Sequence, residues 1–210
     1  LIAEQLRRYR RKERFSYHKL QTSQAASLFL QNQFAQLSGN ELNVVVINFI
    51  DMLSHARTES EMVRELAANE AAYRGITLSW LKNTSVQALF RALAESDYTI
   101  VLTTDHGSIR VSAPSKVVGE RTLNTNLRYK VGRQMSYNNR EVFEVREPLK
   151  VGLPSPKLSS TYIFATGSRF FAYPNNYNYY VQYYQDTFQH GGLSMEEMIV
   201  PIVTLRPRRR

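Results

Sequence analysis

The chain has 210 residues, a formal net charge of +9 and a hydrophobic fraction of 43%. This composition is typical of a folded protein with a sizeable core and excludes a disordered chain. Cysteine is absent, which excludes a disulfide scaffold, cysteine-ligated zinc, iron–sulfur clusters and a cysteine nucleophile. No apolar run approaches the roughly 20 residues that cross a bilayer, and no signal peptide opens the chain. We therefore expect a cytoplasmic protein without a membrane span.

The positive charge is concentrated at the two ends of the chain. Leu1–Leu20 holds seven bases against two acids, and four of the last five residues are arginine. The body between these ends is neutral. A basic end can bind nucleic acid, anionic lipid or an acidic protein, but it is more often a solvated helix face or a soluble tail. Because base-reading motifs are missing, the solvated interpretation is favoured.

The first half of the chain predicts helices and two buried strands. In chain order they are a charged helix over 4–14, a helix or a strand within 21–38, a strand over 42–50, a helix over 58–73, a helix over 78–94 and a strand over 98–103. Gly75 is predicted to end the first long helix and Thr77 to cap the second. Both strands are apolar and rich in β-branched residues, as in strands covered on both faces. Strand, two helices and strand in this order are typical of a parallel α/β sheet with a crossover.

After Gly107 the pattern changes to short strand-like segments separated by proline, glycine, asparagine and serine. These segments are 109–112, 116–118, 128–131, 142–145 and 162–165. The tyrosine-rich stretch 162–184 is either a wall on which bases stack or, as we prefer, the aromatic core of a β-rich insertion. A short helix over Met195–Met198 and a strand over 199–205 complete the prediction. Two glutamates, Glu196 and Glu197, begin that helix, where the helix dipole favours acidic groups.

Three of the four histidines follow predicted strands or flank glycines. Asp51 ends the first strand, and His55 lies four residues later, so both would share one face of a helix. Asp105 and His106 end the second strand, and the glycine that follows lets the backbone turn. His190 precedes two glycines that permit close backbone approach. Reactive groups of open α/β sheets cluster at the carboxyl ends of strands, and this pattern predicts one site.

Each of these residues also has a plain structural explanation. Asp51 can be an N-cap, His55 a partly buried surface residue, and paired glycines mark many loops. His18 lies in no such context and is predicted to be on the surface. Taken together, carboxylates and imidazoles without sulfur suit Zn²⁺, with Mn²⁺ or Fe²⁺ as second choices. Two aspartates and three histidines exceed the needs of one tetrahedral ion, and this indicates two metals sharing a site, as in phosphoryl transfer.

Three motifs carry a resemblance to a known family. They are Asp-Met-Leu-Ser-His at 51–55, Thr-Asp-His-Gly at 104–107 and His-Gly-Gly-Leu-Ser-Met-Glu-Glu-Met-Ile-Val-Pro at 190–201. In order and spacing they resemble the C-terminal half of a PglZ domain, a family of the alkaline phosphatase superfamily. They also resemble the PglZ-type effector domains of PorX response regulators, which belong to type IX secretion and gliding motility.

The resemblance implies an α/β fold. Its alkaline-phosphatase-like core would have a mostly parallel sheet flanked by helices, with a smaller β-rich, tyrosine-rich insertion at about 109–185. Residues 1–40 would be a basic helical lead-in from a missing upstream part, 41–206 the C-terminal half of the domain, and 207–210 a basic tail.

The resemblance also implies roles for individual residues. The implied ligands are Asp51, His55 and His190 for one zinc ion, and Asp105 and His106 for the second. The family's threonine nucleophile and a further aspartate are expected upstream of Leu1, so this chain would contain no catalytic nucleophile. Thr103 and Thr104 lie beside Asp105, but the motif does not place the nucleophile there.

The implied function is that of a zinc-dependent phosphodiesterase or phosphohydrolase acting on nucleotides or oligonucleotides. In the PorX-like case it would be the effector of a two-component system, addressed by a cognate histidine kinase through a receiver domain and dimeric when phosphorylated. The alternative is a non-catalytic, zinc-stabilised signalling module that binds a sigma factor or a secretion-motor protein. A nucleic-acid binder that uses the basic ends is a third, weaker hypothesis.

A basic segment follows the second motif. Between Arg110 and Arg133 there are six bases and one acid. Guanidinium groups bind phosphate oxygens in a bidentate way, and a neighbouring tyrosine can stack on a base. Arg121, Arg128 and Lys130 are therefore predicted to line the substrate cleft. The alternative is a solvated strand edge guarded by basic side chains.

Overall fold

The structure of the chain is a computed structural model, which describes residues 1–119, 125–156 and 159–207. These residues divide into two compact units. The first is Leu1–Ile100 together with the C-terminal residues from Arg206, and the second is Val101–Leu205. Within the described ranges, no helix combines the length and the apolar character that a bilayer crossing requires.

The first unit combines a strand pair with helices. Strands β1 (Phe15–Leu20) and β2 (Leu42–Ile47) pair in parallel, with Phe15 opposite Leu42 and Leu20 opposite Ile47. The helices are α1 (Ile2–Arg8), α2 (Ser23–Asn32), α3 (Phe49–Glu59), α4 (Glu61–Leu66), α5 (Glu70–Asn83) and α6 (Ser85–Ala94), and a 3₁₀ helix spans Phe34–Gly39.

The core of the first unit joins residues from both ends of its sequence. The buried side chains are Leu20, Ala26, Phe29, Leu37, Val86 and Leu89. Burial of apolar area on this scale is the main favourable term in folding. Residues before position 41 therefore share one core with helix α6, rather than standing apart from it.

The helices of this unit begin and end elsewhere than predicted. Gly75 lies inside α5, and the breaks fall at Ser60, at 67–69 and at Thr84. Asn69 starts α5 because its side chain accepts a hydrogen bond from the Ala72 amide. Thr77 lies inside α5 and does not begin a helix. Its hydroxyl donates to the Tyr73 carbonyl one turn earlier. A glycine inside a helix costs only about 1 kcal/mol, which packing easily offsets.

The segment before residue 40 also differs from prediction. The first helix ends at Arg8, and residues 15–20 form strand β1, which was not predicted. Within 21–38 the structure selects the helical alternative, because the Thr22 hydroxyl accepts from the Ala25 amide and caps α2. Strand β1 is fixed by its parallel partner, a contact between distant residues that local pattern does not contain.

The second unit is built from short strands. They are β3 (Ile100–Thr103), β4 (Ile109–Arg110), β5 (Ala113–Lys116), β6 (Val118–Gly119), β7 (Tyr129–Gly132), β8 (Met135–Ser136), β9 (Val142–Val145), β10 (Thr161–Ala165), β11 (Arg169–Ala172), β12 (Phe188–Gln189) and β13 (Ile202–Leu205). The largest sheet has the order β7–β10–β9 and is antiparallel. Helices α7 (Tyr177–Tyr184) and α8 (Met195–Met198) and a 3₁₀ turn over Pro148–Val151 complete the unit.

The mixed α/β class agrees with the prediction, while the sheets are smaller than expected. In place of one mostly parallel sheet, the described strands form separate small sheets, and most of the strand pairings whose direction is established are antiparallel. The β1–β2 and β5–β11 pairs are parallel. Thirteen prolines and glycines lie among the 105 residues of the second unit, and such residues keep strands short. A continuous alkaline-phosphatase-like sheet remains a prediction.

The tyrosine-rich stretch contains a helix that was not predicted. Helix α7 packs Tyr177, Val181 and Tyr184 against the cluster around Val111 and Phe170. Its other face is open, with Tyr179 60% exposed. The segment thus fills part of a core, as preferred, but it does so as a helix rather than as part of a β-structure.

Candidate metal centre

The first carboxylate–imidazole pair lies on helix α3, directly after strand β2. Oδ1 of Asp51 is 3.6 Å from Nε2 of His55, one helical turn away. The side-chain nitrogen of Asn48, Nδ2, donates to the other carboxylate oxygen of Asp51 at 3.5 Å. The spacing of four residues therefore places both groups on one face of a helix, as predicted.

A buried tyrosine holds this part of α3. The Tyr73 hydroxyl donates to the Ile50 carbonyl at 2.7 Å and lies 2.8 Å from the Ser54 hydroxyl. Burial raises the pKa of Tyr73 above its ordinary value, so the phenol stays protonated and able to donate. Tyr73 thereby ties the turn that carries Asp51 to helix α5.

The second pair follows strand β3. Oδ1 of Asp105 is 3.7 Å from Nε2 of His106, and the Asp105 side chain is 89% exposed. Nδ1 of His106 lies 3.0 Å from the Gly107 carbonyl oxygen. With the proton on Nδ1 donating to that carbonyl, Nε2 keeps a free lone pair, which is how backbone carbonyls usually orient metal-binding histidines.

The second unit brings His106 and His190 together. Their rings stack with centroids 3.9 Å apart and planes 11° from parallel. The stacking brings two imidazoles, each a common zinc ligand, to one place in the second unit. The side-chain amide of Asn126 donates to the His190 carbonyl at 3.4 Å and supports the segment that carries the ring.

Gly107 allows its backbone to lie close to the start of helix α8, a role beyond the turn predicted for it. A Cβ atom at residue 107 would collide with the backbone carbonyl of Glu196. The Gly107 amide instead donates to the Glu197 carbonyl at 2.9 Å. The segment that carries His106 is therefore held against the start of helix α8.

Glu197 has a role in this region that was not predicted from the sequence. Its carboxylate accepts from Arg128 Nε at 2.9 Å and Nη2 at 2.6 Å, and from the amides of Gly192 at 2.9 Å and Ser194 at 3.1 Å. Burial alone would raise the pKa of Glu197, but these donors outweigh it and hold that pKa below its ordinary value. The signal in the sequence was Ser194-x-x-Glu197, the pattern of a capping box.

The three predicted substrate-binding residues fall in different places. Arg121 lies outside the described residues. Arg128 is fully buried, with its guanidinium on Glu197 and on the Arg169 carbonyl. Lys130 is 1% exposed and lies 4.6 Å from the centre of the Tyr173 ring, and burial lowers its pKa to about 8. Contact of these residues with substrate stays a prediction.

Residues 2–205 match the sequence profile of the PglZ family, described as the BREX system PglZ alkaline phosphatase-like domain. The chain belongs to the PglZ family. No curated protein sequence matches it. Membership supports a hydrolase-type activity of the phosphoesterase kind, and the matched range includes most of the first 40 residues as well as the three motifs.

The side chains of the motifs suit a divalent metal ion. They offer carboxylate oxygens and imidazole nitrogens without sulfur, which is the donor set of catalytic zinc. The carbonyl that accepts from His106 Nδ1 supplies the outer support that such ligands need. Asp51 and His55 belong to the first unit, and Asp105, His106 and His190 to the second.

Proposed function

We propose that this chain provides metal ligands for a zinc-dependent phosphohydrolase that cleaves phosphodiesters of nucleotides or oligonucleotides. The observation that carries the proposal is the stacked pair of His106 and His190, with His106 Nδ1 engaged by a backbone carbonyl. Family membership supports the class of reaction. The proposed ligands are Asp51, His55 and His190 for one ion, and Asp105 and His106 for the other.

Zinc held by these residues would polarise a phosphoryl oxygen and stabilise the leaving oxygen. The chain's own contribution is to hold the ligands. Tyr73 anchors the turn that carries Asp51, and the Gly107 carbonyl keeps the proton of His106 on Nδ1. A threonine nucleophile is proposed to lie upstream of Leu1, as the resemblance implies.

The proposed biological setting follows from the motif resemblance alone. The chain would be the effector of a PorX-like response regulator that controls type IX secretion and gliding motility. A cognate histidine kinase would act on a receiver domain, and phosphorylation would favour a homodimer. The competing proposal is a zinc-stabilised module that binds a sigma factor or a secretion-motor protein without catalysis.

Metal analysis of the purified protein tests the proposal. We expect about two zinc ions per chain, falling towards one in His190→Ala, because two-metal sites divide their ligands between the ions. His18→Ala is the matched control, since His18 packs on Phe29 and lies in no motif. The proposal would be wrong if the folded protein binds no zinc. It would also be wrong if His190→Ala and His18→Ala lose equal amounts of metal.

Activity separates catalysis from a purely structural role for zinc. We expect the 210-residue chain alone to leave both a chromogenic phosphodiester and the matching phosphomonoester intact. Turnover that disappears in Thr103→Ala or Thr104→Ala would disprove the upstream nucleophile. Zinc-loaded protein that contains the upstream part and still cleaves neither ester would favour the signalling module.

A further inference from the structure

Glu197 contacts both segments that carry the stacked histidines. Its carboxylate accepts from the amides of Gly192 and Ser194, which follow His190 in the chain. Its backbone carbonyl accepts from the amide of Gly107, the residue after His106. One residue at 3% exposure thus joins the two backbone segments from which the rings project.

Arg128 keeps the Glu197 carboxylate in this place. Its guanidinium donates twice to that carboxylate and a third time to the Arg169 carbonyl, and none of the Arg128 side chain is exposed. The peptide at Gly192 lies directly against the guanidinium, because a Cβ at that residue would approach Arg128 Nη2 to 2.6 Å. The loop after His190 is therefore fitted to both members of the ion pair.

We infer that the buried Arg128–Glu197 pair is a positioning device that sets the His190 ring against the His106 ring. The inference rests on the proposed function only where it concerns metal. It makes Arg128 and Glu197 positioning residues that act through the two histidines. Arg128 would then have a role other than the predicted contact with substrate.

The hydrogen bonds around residue 197 suit a carboxylate. Replacing a whole buried ion pair with apolar groups is often harmless to folding. Losing one partner is costly, because it leaves the other partner as an unpaired buried charge. A carboxylate can accept from two amides and a guanidinium at once, because both of its oxygens are acceptors. A glutamine at residue 197 would have only one oxygen acceptor. Its NH₂ group would face one of the present donors, which are the Arg128 guanidinium and the backbone amides of Gly192 and Ser194.

The test uses Glu197→Gln and Arg128→Lys in the complete chain. The first readout is the carbon-bound ring proton of each histidine, observed by NMR in protein freed of metal with a chelator. We expect the His106 and His190 signals to shift, because ring stacking changes, while those of His18 and His55 stay in place. The second readout is titration with ZnCl₂, where we expect affinity to fall about 10- to 100-fold, as for other lost supports of metal ligands.

Arg57→Lys is the matched control. Arg57 is also a buried arginine, 2% exposed, and its Nε donates to the Ala67 carbonyl at 2.7 Å in the first unit. It should lower stability without moving the His106 or His190 signals. If Glu197→Gln does not fold, the milder Arg128→Lys decides the test, with circular dichroism confirming the fold.

The outcomes separate the two proposals. Folded variants whose His106 and His190 signals match wild type would overturn the positioning role, whatever the zinc result. Wild-type protein that binds no zinc but shows shifted rings in the variants would keep the positioning role and reject the proposed function.

Discussion

Gly192 and Gly75 show how one added methyl group acts in opposite ways at two glycines. At Gly192 a Cβ would lie 2.6–2.7 Å from three atoms of the buried Arg128 guanidinium. We expect Gly192→Ala to lower the free energy of unfolding by about 2 kcal/mol, because the guanidinium is fixed by its partners and yields only with strain. Urea unfolding of the second unit measures the loss.

Gly75→Ala is the natural comparison. Gly75 lies inside helix α5, and a Cβ added there would meet no atom within 4 Å beyond its chain neighbours and the helix's own backbone. Alanine there should raise the free energy of unfolding by about 1 kcal/mol, since it removes the backbone entropy cost of a helical glycine. A loss of stability in Gly75→Ala, or no effect in Gly192→Ala, would contradict the packing described at these residues.

Lys130 supplies a pH dependence. Burial lowers its pKa to about 8 in the folded protein, against 10.5 for the free side chain. Between these values the unfolded chain binds more protons, so the free energy of unfolding should rise as pH increases from about 8 to about 10. Lys130→Met should abolish this rise and stabilise the protein at pH 7 by up to about 3 kcal/mol.

Unfolding in urea at a series of pH values tests the Lys130 prediction. Lys116→Met is the control, because Lys116 is exposed and should leave the rise intact. If Lys130→Met keeps the same slope as wild type, another group is responsible for it.

At the scale of elements, Tyr73 links helix α5 to the turn of α3 that carries Asp51. We expect Tyr73→Phe to lower the free energy of unfolding by about 1–2 kcal/mol, because the Ile50 carbonyl and the Ser54 hydroxyl lose a shared partner. Under the proposed function, zinc affinity should fall as well. Tyr17→Phe is the control in urea unfolding and zinc titration, since Tyr17 is 53% exposed. Equal effects of both substitutions would argue against the link.

Elements with local signals were predicted well from the sequence. The β-branched run predicted strand β2, although the strand ends at Ile47 and helix α3 begins at Phe49, inside the predicted range 42–50. The short helix α8 was predicted over Met195–Met198, where the structure has it. Helix α7 was missed because tyrosine favours strands, and its helix depends on packing and on stacked pairs such as Tyr179 with Tyr183, 5.9 Å apart. The prediction that Gly75 ends a helix was wrong for a similar reason, since tertiary packing outweighs the weak helix preference of one residue.

The candidate site likewise contains residues that local motifs predict and residues that only the folded chain brings together. The motifs pointed to His106 and His190, and the structure stacks their rings. The pair of Arg128 and Glu197 escaped notice because it joins residues 69 positions apart, and only the folded chain brings such residues together. The basic composition around Arg128 pointed instead to contact with substrate.

The whole molecule has separate cores in its two units, and its aromatic residues allow them to be followed separately. The single tryptophan, Trp80, packs on the core of the first unit and stacks on Phe49 at 4.1 Å. Nine of the thirteen tyrosines lie after residue 100, in the second unit. Tryptophan fluorescence therefore reports on the first unit, and near-ultraviolet circular dichroism of tyrosine mainly on the second.

We expect the two signals to report distinct unfolding transitions, because each unit buries its own apolar cluster and domains with their own cores unfold as units. Gly192→Ala should shift the tyrosine transition to lower urea and leave the Trp80 transition in place. Arg57→Lys should do the reverse. If either substitution moves both transitions together, the units unfold as one cooperative body, and stability effects at the His106–His190 pair would then extend to the Asp51–His55 pair.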